Sequence, residues 1–177
     1  MPSISKVVRL DPEDSRPKFD CDDEDLNDFF LTDSCASGSE LLSVTYLATN
    51  TKDETLAFFS VSNDSIKKES LTGSRFKRVT KKIPREKRYS SMPAVKIGRL
   101  GTNKLFQRQG IGTELLDFIK FWFTHGNKTG CRFVIVDAYN KDEVTNFYKR
   151  NGFEYLLTDD DKDPTRLMYF DLITFRE

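Results

Sequence analysis

The amino-acid sequence predicts one mixed α/β domain, with a single sheet flanked by helices, over residues 1–177. The order of the elements carries this prediction: strands come first, and a strand–helix–strand–helix–strand run follows, as in α/β or α+β domains. The composition agrees, since 37% of the residues are apolar and 32% are charged, as is usual for globular proteins. A chain of 177 residues is the size of one ordinary domain, and no internal repeat or linker divides it.

The first strand and the first helix are predicted near the start of the chain. Residues 4–10 are rich in β-branched side chains, which favours a strand. Asp22 or Asp23 can cap a following helix, whose apolar face includes Phe29 and Phe30.

The middle of the chain is predicted to contain a hairpin and then a basic insertion. The polar residues 34–39 are expected to end the first helix. Strands are expected over 41–49 and 55–61, because Asn-Thr-Lys-Asp at 50–53 is a hairpin signal. Residues 67–93 are expected to form an irregular insertion with one short helix near its start.

The last part of the chain has the clearest helical pattern. A strand is expected over 94–102, and a helix over 110–125, where apolar residues recur every three or four positions until Gly126. Residues 133–138 are nearly all apolar, which is typical of a strand buried on both faces. The remaining predicted elements are a short helix over 142–150 and strands over 152–156 and 166–172.

Net charge is zero, but the charges are unevenly placed. Residues 67–88 hold ten basic and two acidic side chains, a net of +8, whereas residues 11–25 hold eight acidic and two basic ones, a net of −6. Such a dipolar surface can attract a polyanion to one side of the molecule. A solvated loop without a partner is the alternative for the basic segment.

A cytoplasmic location fits the remaining bulk features. No apolar run approaches the roughly 18 residues that span a bilayer, and the first residues lack the pattern of a secretion signal. The three cysteines are odd in number and unclustered, so neither a disulfide framework nor a metal site is expected.

A glycine-containing loop leads from the predicted fourth strand into the long helix. A helix start leaves backbone N–H groups unpaired and carries a partial positive charge. Gly110 and Gly112 remove the β-carbons that would keep a phosphate from those donors, and Arg108 and Thr113 can add a charge and a hydroxyl. The loop therefore suits a pyrophosphate, unless its glycines only make a tight turn. The Walker and dinucleotide patterns do not fit, because Thr113-Glu114 follows Gly112 and residue 115 is leucine.

Two motifs resemble those of the GCN5-related N-acetyltransferases (GNAT). The acetyl-CoA motif of that family, Gln/Arg-x-x-Gly-x-Gly/Ala, is matched by Gln107, Gly110 and Gly112, and its Phe/Leu-Tyr-x-x-x-Gly-Phe motif by residues 147–153. Phe19-Asp20-Cys21, Leu26-Asn27-Asp28-Phe29 and residues 94–100 also resemble the toxin branch of the family, which acetylates aminoacyl-tRNA. The resemblance implies the GNAT acyltransferase fold, with six to seven mostly antiparallel strands, and acetyl-CoA as cosubstrate.

The resemblance also implies a role for each candidate residue. The pantetheine arm is expected along the fourth strand, with a backbone N–H near Leu100 on the thioester oxygen. Tyr148 is expected to be the general acid for the coenzyme A thiolate; a core role beside Phe147 is the alternative. No metal is expected. The candidate coenzyme-binding residues are Leu100, Gly101, Thr102, Gln107, Arg108, Gln109, Gly110, Ile111, Gly112, Thr113 and Asn140, and the candidate catalytic residues are Tyr148 and Leu100.

The acceptor amine and the general base are less well defined. The strand at 95–102 has no acid, although many relatives place a glutamate there. An α-amine, with a pKa of about 7.7–8, is partly neutral near pH 7, whereas a lysine amine, near about 10.4, must first be deprotonated. This difference favours an α-amino acceptor such as an aminoacyl-tRNA bound by the basic segment; a relayed water is the alternative. His125 is expected to interact with the helix dipole rather than to catalyse.

Two other functions fit the same features. The fold could serve as a non-catalytic acyl-CoA sensor, or the basic segment could make the chain an RNA- or antitoxin-interacting protein. An antitoxin partner and a homodimer built on Leu172, Ile173 and Phe175 are further expectations, although a core position fits these three residues equally.

Overall fold

The computed structural model describes residues 3–176, apart from the side chain of Lys87. Within this range the chain forms seven strands and six α-helices, joined by short 3₁₀ turns. The elements are β1 Lys6–Leu10, α1 Glu24–Asp28, α2 Ser34–Ser39, β2 Val44–Thr49, β3 Thr55–Lys67, α3 Gly73–Val79, β4 Ser91–Thr102, α4 Ile111–Thr124, β5 Phe133–Tyr139, α5 Asp142–Arg150, β6 Glu154–Tyr155, β7 Thr165–Asp171 and α6 Ile173–Arg176.

The strands form one sheet in the order β1-β2-β3-β4-β5-β7-β6. The pairs β1–β2, β2–β3, β5–β7 and β6–β7 are antiparallel. This arrangement confirms the predicted mixed, mostly antiparallel sheet of six to seven strands.

The chain divides into two compact units. One contains residues up to 62 together with 97–119, and the other contains residues 63–96 and 120–177. Strands β3 and β4 each contribute residues to both units. The assignment of residues 1–177 to a single domain stays a prediction.

The first unit is built around an aromatic cluster. Phe58 of β3 lies 4.7 Å from Phe30 and 5.2 Å from Phe19 between ring centroids, and Phe29 and Cys21 complete the buried group. Such tilted and edge-on ring pairs are favourable beyond the area that they bury. The cluster fixes α1 and the segment before it against the sheet of this unit.

The first helical region is longer than the sequence indicated. Asp23 caps α1, since its side chain accepts a hydrogen bond from Leu26 N, as predicted. The prediction that residues 34–39 end the helix was wrong: a π-type turn, Phe29–Asp33, continues directly into α2. The Ser34 hydroxyl donates to Phe30 O at 2.8 Å. Ser34 is therefore buried inside the helical run and does not break it.

The basic segment is a folded part of the second unit. β3 extends to Lys67, and α3 buries Phe76 and Val79 in a core with Ile66 and Met92. The predicted short helix is α3, and residues 80–90 form only turns, as expected for an irregular segment. The apolar anchor of α3 is a feature that the sequence did not indicate.

The C-terminal strand ends in a helix that the sequence did not reveal. β7 stops at Asp171, and Ile173–Arg176 forms α6. Leu172 is buried, whereas Phe175 is exposed and packs beside Phe170 at 6.4 Å. Leu172 therefore occupies a core position. A homodimer stays a prediction.

Candidate active site

A short turn connects β4 to α4 in the first unit. A 3₁₀ turn, Lys104–Phe106, follows β4, and Asn103 accepts a hydrogen bond from Leu105 N at its side chain, 3.1 Å away. Asn103 also donates from its backbone to Leu56 O and from its side chain to Thr55 O. These bonds fix the end of β4 against the start of β3.

The loop itself depends on two residues in the left-handed region. Arg108 has φ of 58° and Gly110 has φ of 87°. A β-carbon at Gly110 would meet no heavy atom within 4 Å, and the glycine is exposed. Glycine is therefore needed here for the backbone angle and not for internal packing, and the space beside it is open to a ligand.

The start of α4 presents backbone donors next to this open space. The first hydrogen-bonded turn runs from Glu114 N–H to Gly110 C=O, at 3.0 Å. The amides of residues 111–113 precede that bond, where an α-helix offers them no acceptor of its own. The helix is anchored by Ile111 and Leu115, which are buried. A fixed helix start with free amides and a positive dipole end is a site for an anionic phosphate group.

The acid in the first turn of α4 is already engaged. Glu114 Oε1 accepts hydrogen bonds from Ser3 Oγ at 2.9 Å and from Ile4 N at 3.0 Å. Its carboxylate is thus held by the chain that enters β1.

Two glutamines of the loop turn their side chains toward backbone carbonyls. Gln107 Nε2 donates to Cys21 O at 2.8 Å and to Thr102 O at 3.2 Å, and Gln109 Nε2 donates to Leu105 O at 3.0 Å. Both hydrogens of the Gln107 NH₂ group are therefore engaged, whereas the Gln109 NH₂ group makes one of the two bonds that it can donate. The exposed side chains of the loop region are those of Arg108, Gln109 and Thr113.

The end of β4 is closely packed on one face. A β-carbon at Gly101 would lie 2.8 Å from Phe58 Cε1 and 3.4 Å from Cys21 Sγ. Gly101 therefore has a packing reason to be glycine. Leu100 and Thr102 are half-buried. The pantetheine and oxyanion roles of residues 100–102 stay predictions.

Tyr148 lies on α5 in the second unit and is buried. Its ring meets Phe147 at 5.1 Å and Phe153 at 5.3 Å, both edge-on. Burial raises the pKa of the phenol, and no hydrogen bond from the described residues contributes to that shift. The hydroxyl therefore stays protonated at physiological pH and is available as a donor. Ring packing alone would be served equally by phenylalanine.

The backbone after Tyr148 is fixed by a Schellman motif. Phe153 N donates to Tyr148 O at 3.0 Å, and Gly152 N donates to Lys149 O at 2.9 Å, with Gly152 at φ of 82°. A glycine in the left-handed region is the usual helix end of this kind. The Tyr-x-x-x-Gly spacing thus has a structural cause.

Asn140 is occupied by its own loop. Its side-chain NH₂ donates to Asp161 O at 2.9 Å and to Asp163 O at 2.8 Å, and its backbone N–H donates to Pro164 O. The predicted coenzyme contact of Asn140 is not tested by these bonds and stays a prediction.

Strand β4 offers no carboxylate that could act as a general base, because residues 95–102 contain neither Asp nor Glu. Lys96 forms an ion pair with Asp137 of β5, so that carboxylate already has a cationic partner. His125 lies at the end of α4, with Nδ1 3.0 Å from Phe121 O and its ring stacked on that side chain at 4.2 Å. This position agrees with the expected helix-end role.

Sequence reasoning missed one part of the loop's surroundings. Lys104 Nζ lies 2.6 Å from Asp20 Oδ2, and Asn27 Nδ2 donates to Asp20 Oδ1 at 3.1 Å. The residues at 19–21 and 26–29 resemble a branch of the family, but that pattern does not indicate a contact with residue 104.

Residues 79–155 match the family model of the acetyltransferase (GNAT) domain. This segment, less than half of the chain, is similar to a GNAT acetyltransferase domain. Both motifs lie inside it, the loop at 107–113 and the Phe-Tyr-x-x-x-Gly-Phe sequence at 147–153. The GNAT assignment agrees with the family that the two motifs indicated.

Solved structures share the fold over nearly the whole chain. AtaT complexed with acetyl-methionyl-tRNAfMet is 22% identical, with a TM-score of 0.76 and coverage of 97% of this chain and 96% of that one. AtaTR bound with AcCoA is 22% identical, with a TM-score of 0.74 and coverage of 97% and 95%. A Tyr-to-Phe mutant of the AtaT toxin bound to the C-terminus of the antitoxin AtaR is 17% identical, with a TM-score of 0.73 and coverage of 97% and 94%. These similarities show the GNAT fold.

Two kinds of feature are absent from the described residues, a membrane-spanning helix and a metal-binding cluster. No helix between residues 3 and 176 is long and apolar enough to cross a membrane. The same range holds no group of three or more His, Cys, Asp or Glu side chains placed to hold a metal ion.

Proposed function

We propose that this protein transfers the acetyl group of acetyl-CoA to the α-amine of an aminoacyl-tRNA. The observation that carries the proposal is the start of α4, where the amides of residues 111–113 stand beside the open space at Gly110. Amides fixed in this way favour a diphosphate, since the helix has already ordered them before a ligand arrives.

The proposed reaction is a direct attack within a ternary complex. The neutral amine attacks the thioester carbonyl carbon, the C–N bond forms and the C–S bond breaks. The amine loses one proton, and the coenzyme leaves as a thiol. A backbone N–H near Leu100 would bind the oxyanion, which can be worth roughly 2.7–4 kcal/mol in the transition state.

Tyr148 is the proposed general acid. Because its pKa is raised by burial, its hydroxyl is a neutral donor that can hydrogen-bond the sulfur as negative charge develops there. A leaving thiolate with an ordinary pKa of about 8.5 is stabilised by such a bond. The ring contacts with Phe147 and Phe153 need no hydroxyl, which supports this role over packing alone.

The acceptor is inferred from charge and from the missing acid. Eight of the basic side chains at 67–88 are exposed, and phosphates of a polyanion are bound by such groups. Two further points support the proposal: β4 lacks a carboxylate to deprotonate a lysine amine, and one AtaT structure contains acetyl-methionyl-tRNAfMet. A cytoplasmic location and an antitoxin partner belong to the same proposal, the latter because AtaT has been seen with the antitoxin AtaR.

Mass spectrometry of charged tRNA incubated with the protein and labelled acetyl-CoA tests this function. We expect one labelled acetyl group on the aminoacyl end. Deacylated tRNA and tRNA whose α-amine is already blocked serve as substrate controls and should stay unlabelled. Labelling of free lysine or of protein N-termini instead would refute the tRNA acceptor but keep the acetyltransferase.

A matched pair of variants separates catalysis from RNA binding. Tyr148→Phe should bind coenzyme and RNA but lose turnover. Lys77→Glu with Lys81→Glu reverses two exposed charges of the basic segment and should weaken RNA binding in a salt-dependent way. Coenzyme binding without transfer to any amine, and indifference to Tyr148→Phe, would identify the non-catalytic sensor instead.

A further inference from the structure

Three hydrogen bonds tie the coenzyme loop to the segment that precedes α1. Lys104 N donates to Asp20 O at 2.8 Å, and Lys104 Nζ lies 2.6 Å from Asp20 Oδ2. Gln107 Nε2 bridges two carbonyls, those of Cys21 at 2.8 Å and Thr102 at 3.2 Å. The stretch from the end of β4 to residue 107 is thus bonded at both ends to residues 20 and 21.

Asp20 is itself held by its neighbours. Its Oδ1 accepts from Asp22 N at 2.9 Å and from Asn27 Nδ2 at 3.1 Å, and Asn27 Oδ1 accepts from Cys21 N at 3.0 Å. The bond from Lys104, followed by the other two, lowers the pKa of Asp20 to about 2. The carboxylate is therefore charged, and both of its oxygens are directed by specific donors.

Besides these contacts, the loop is ordered by the bonds of Asn103 and of Gln109. The side chains at 104 and 105 and at 108–110 are exposed, and Leu105 is 70% exposed. Two of these residues, Arg108 and Gly110, hold left-handed backbone angles. A short exposed segment of this kind must be fixed by its hydrogen bonds, because ordering each residue costs about 1–2 kcal/mol of backbone entropy.

We propose that Asp20 is a positioning residue for the coenzyme loop. It holds Lys104 directly, and it supports Gln107 through Asn27 and Cys21, since Asn27 bonds to both Asp20 and Cys21 and the Cys21 carbonyl accepts from Gln107. It does not touch the ligand. Loss of this support would let residues 104–109 move, so that the turn at Gly110 is no longer arranged beside the amides of 111–113 before the diphosphate binds. This inference rests on the coenzyme binding proposed above.

Charge alone predicts the opposite outcome. Asp20 lies in the acidic part of the chain, and its negative charge repels a polyanionic ligand. If only the long-range field mattered, neutralising Asp20 would strengthen coenzyme binding. If Asp20 positions the loop, neutralising it weakens binding. The sign of the change therefore decides between the two explanations.

Asp22 provides a matched control. It also lies near Lys104, with Oδ1 3.8 Å from Nζ, which is beyond hydrogen-bond distance. Its φ of 60° is compatible with asparagine. Asp22→Asn removes the same charge from the same surface and leaves the bonds of Asp20 in place.

Calorimetric titration with coenzyme A compares the wild type, Asp20→Asn and Asp22→Asn, well below their melting temperatures. We expect the Kd to rise about 3- to 30-fold in Asp20→Asn and to stay equal or fall slightly in Asp22→Asn. Lys104→Met should also weaken binding, and the double variant Asp20→Asn/Lys104→Met should be no worse than the weaker single variant, since paired residues are not additive.

The results distinguish failure of the positioning role from failure of the proposed function. Equal Kd values in Asp20→Asn and Asp22→Asn would overturn the positioning role while the proposed function stands, as would a lower melting temperature of Asp20→Asn with an unchanged Kd. No binding of coenzyme A by the wild type would overturn the proposed function itself, and the positioning role with it.

Discussion

Replacing Gly152 with alanine tests the backbone that holds Tyr148. Gly152 has φ of 82°, and an added β-carbon would lie 2.9 Å from Phe170 Cε2 and 3.4 Å from its Cδ2. Phe170 cannot move freely, because its ring lies 5.6 Å from Phe153 and the Lys120 ammonium lies 4.6 Å from its centroid. The new methyl group therefore meets a ring that is held on other sides.

Two destabilising contributions, one from the backbone and one from packing, add up in Gly152→Ala. A left-handed backbone costs an L-residue roughly 1–2 kcal/mol, and forcing extra volume into a packed site costs about 1–3 kcal/mol. The free energy of unfolding of Gly152→Ala should fall by about 2–4 kcal/mol, allowing for partial relaxation. Urea denaturation at equilibrium, followed by tryptophan fluorescence and by circular dichroism, measures it.

Gly126 is the matched control for this prediction. It follows α4 with φ of 66°, but an added β-carbon would meet nothing within 4 Å. Gly126→Ala should therefore show only the backbone cost of about 1–2 kcal/mol. If both variants lose the same stability, the contact with Phe170 contributes nothing and the reasoning is refuted.

Three further predictions follow from single contacts. Tyr148→Phe should lower kcat by about 10²- to 10⁴-fold, with the melting temperature and coenzyme Kd unchanged, because phenylalanine keeps the ring contacts with Phe147 and Phe153; a large loss of stability would assign the hydroxyl to the core. Gly101→Ala should destabilise by about 1–3 kcal/mol, since its β-carbon would lie 2.8 Å from Phe58 Cε1, whereas Gly98→Ala would meet only the movable Ser60 Oγ at 3.2 Å; equal denaturation midpoints would contradict this. Burial raises the pKa of Cys21 and Cys131 to about 11, from an ordinary 9.0. The folded state therefore keeps these two protons to a higher pH than the unfolded state does. Their contribution to the free energy of unfolding is complete below pH 9 and is lost as the pH rises from 9 to 11. A variant with alanine at both cysteines should lose less stability over that range, and an identical pH profile would show that the thiols do not contribute.

Long periodic elements could be predicted closely from the sequence. α5 has both of its predicted ends, Asp142 and Arg150, and α4 lies within one residue of its prediction at each end. In both helices the apolar spacing and the residue that ends the helix, Gly126 or Gly152, indicate the same bounds. The turn at 107–110 lies where the sequence predicted it, because Gly110 stands directly before such a helix.

Other parts depend on contacts that no local pattern contains. Ser34 looks like a helix breaker, but its hydroxyl bonds to Phe30 O and the helix continues. β3 continues through Asn63 and Asp64, which are poor strand formers, beyond its last pair with β2 at Val61, with β4 as its other neighbour in the sheet. The link between Asp20 and Lys104 joins residues 84 positions apart, and a single sequence does not show which distant charges meet.

The apolar anchor of α3 has a consequence for how the basic segment meets other molecules. Since Phe76 and Val79 are fixed in the core of their unit, Lys77 and Lys81 project from a surface that exists before any encounter. A polyanion that docks there need not fold the segment, so its association should proceed without the large entropic penalty and heat-capacity change of coupled folding and binding.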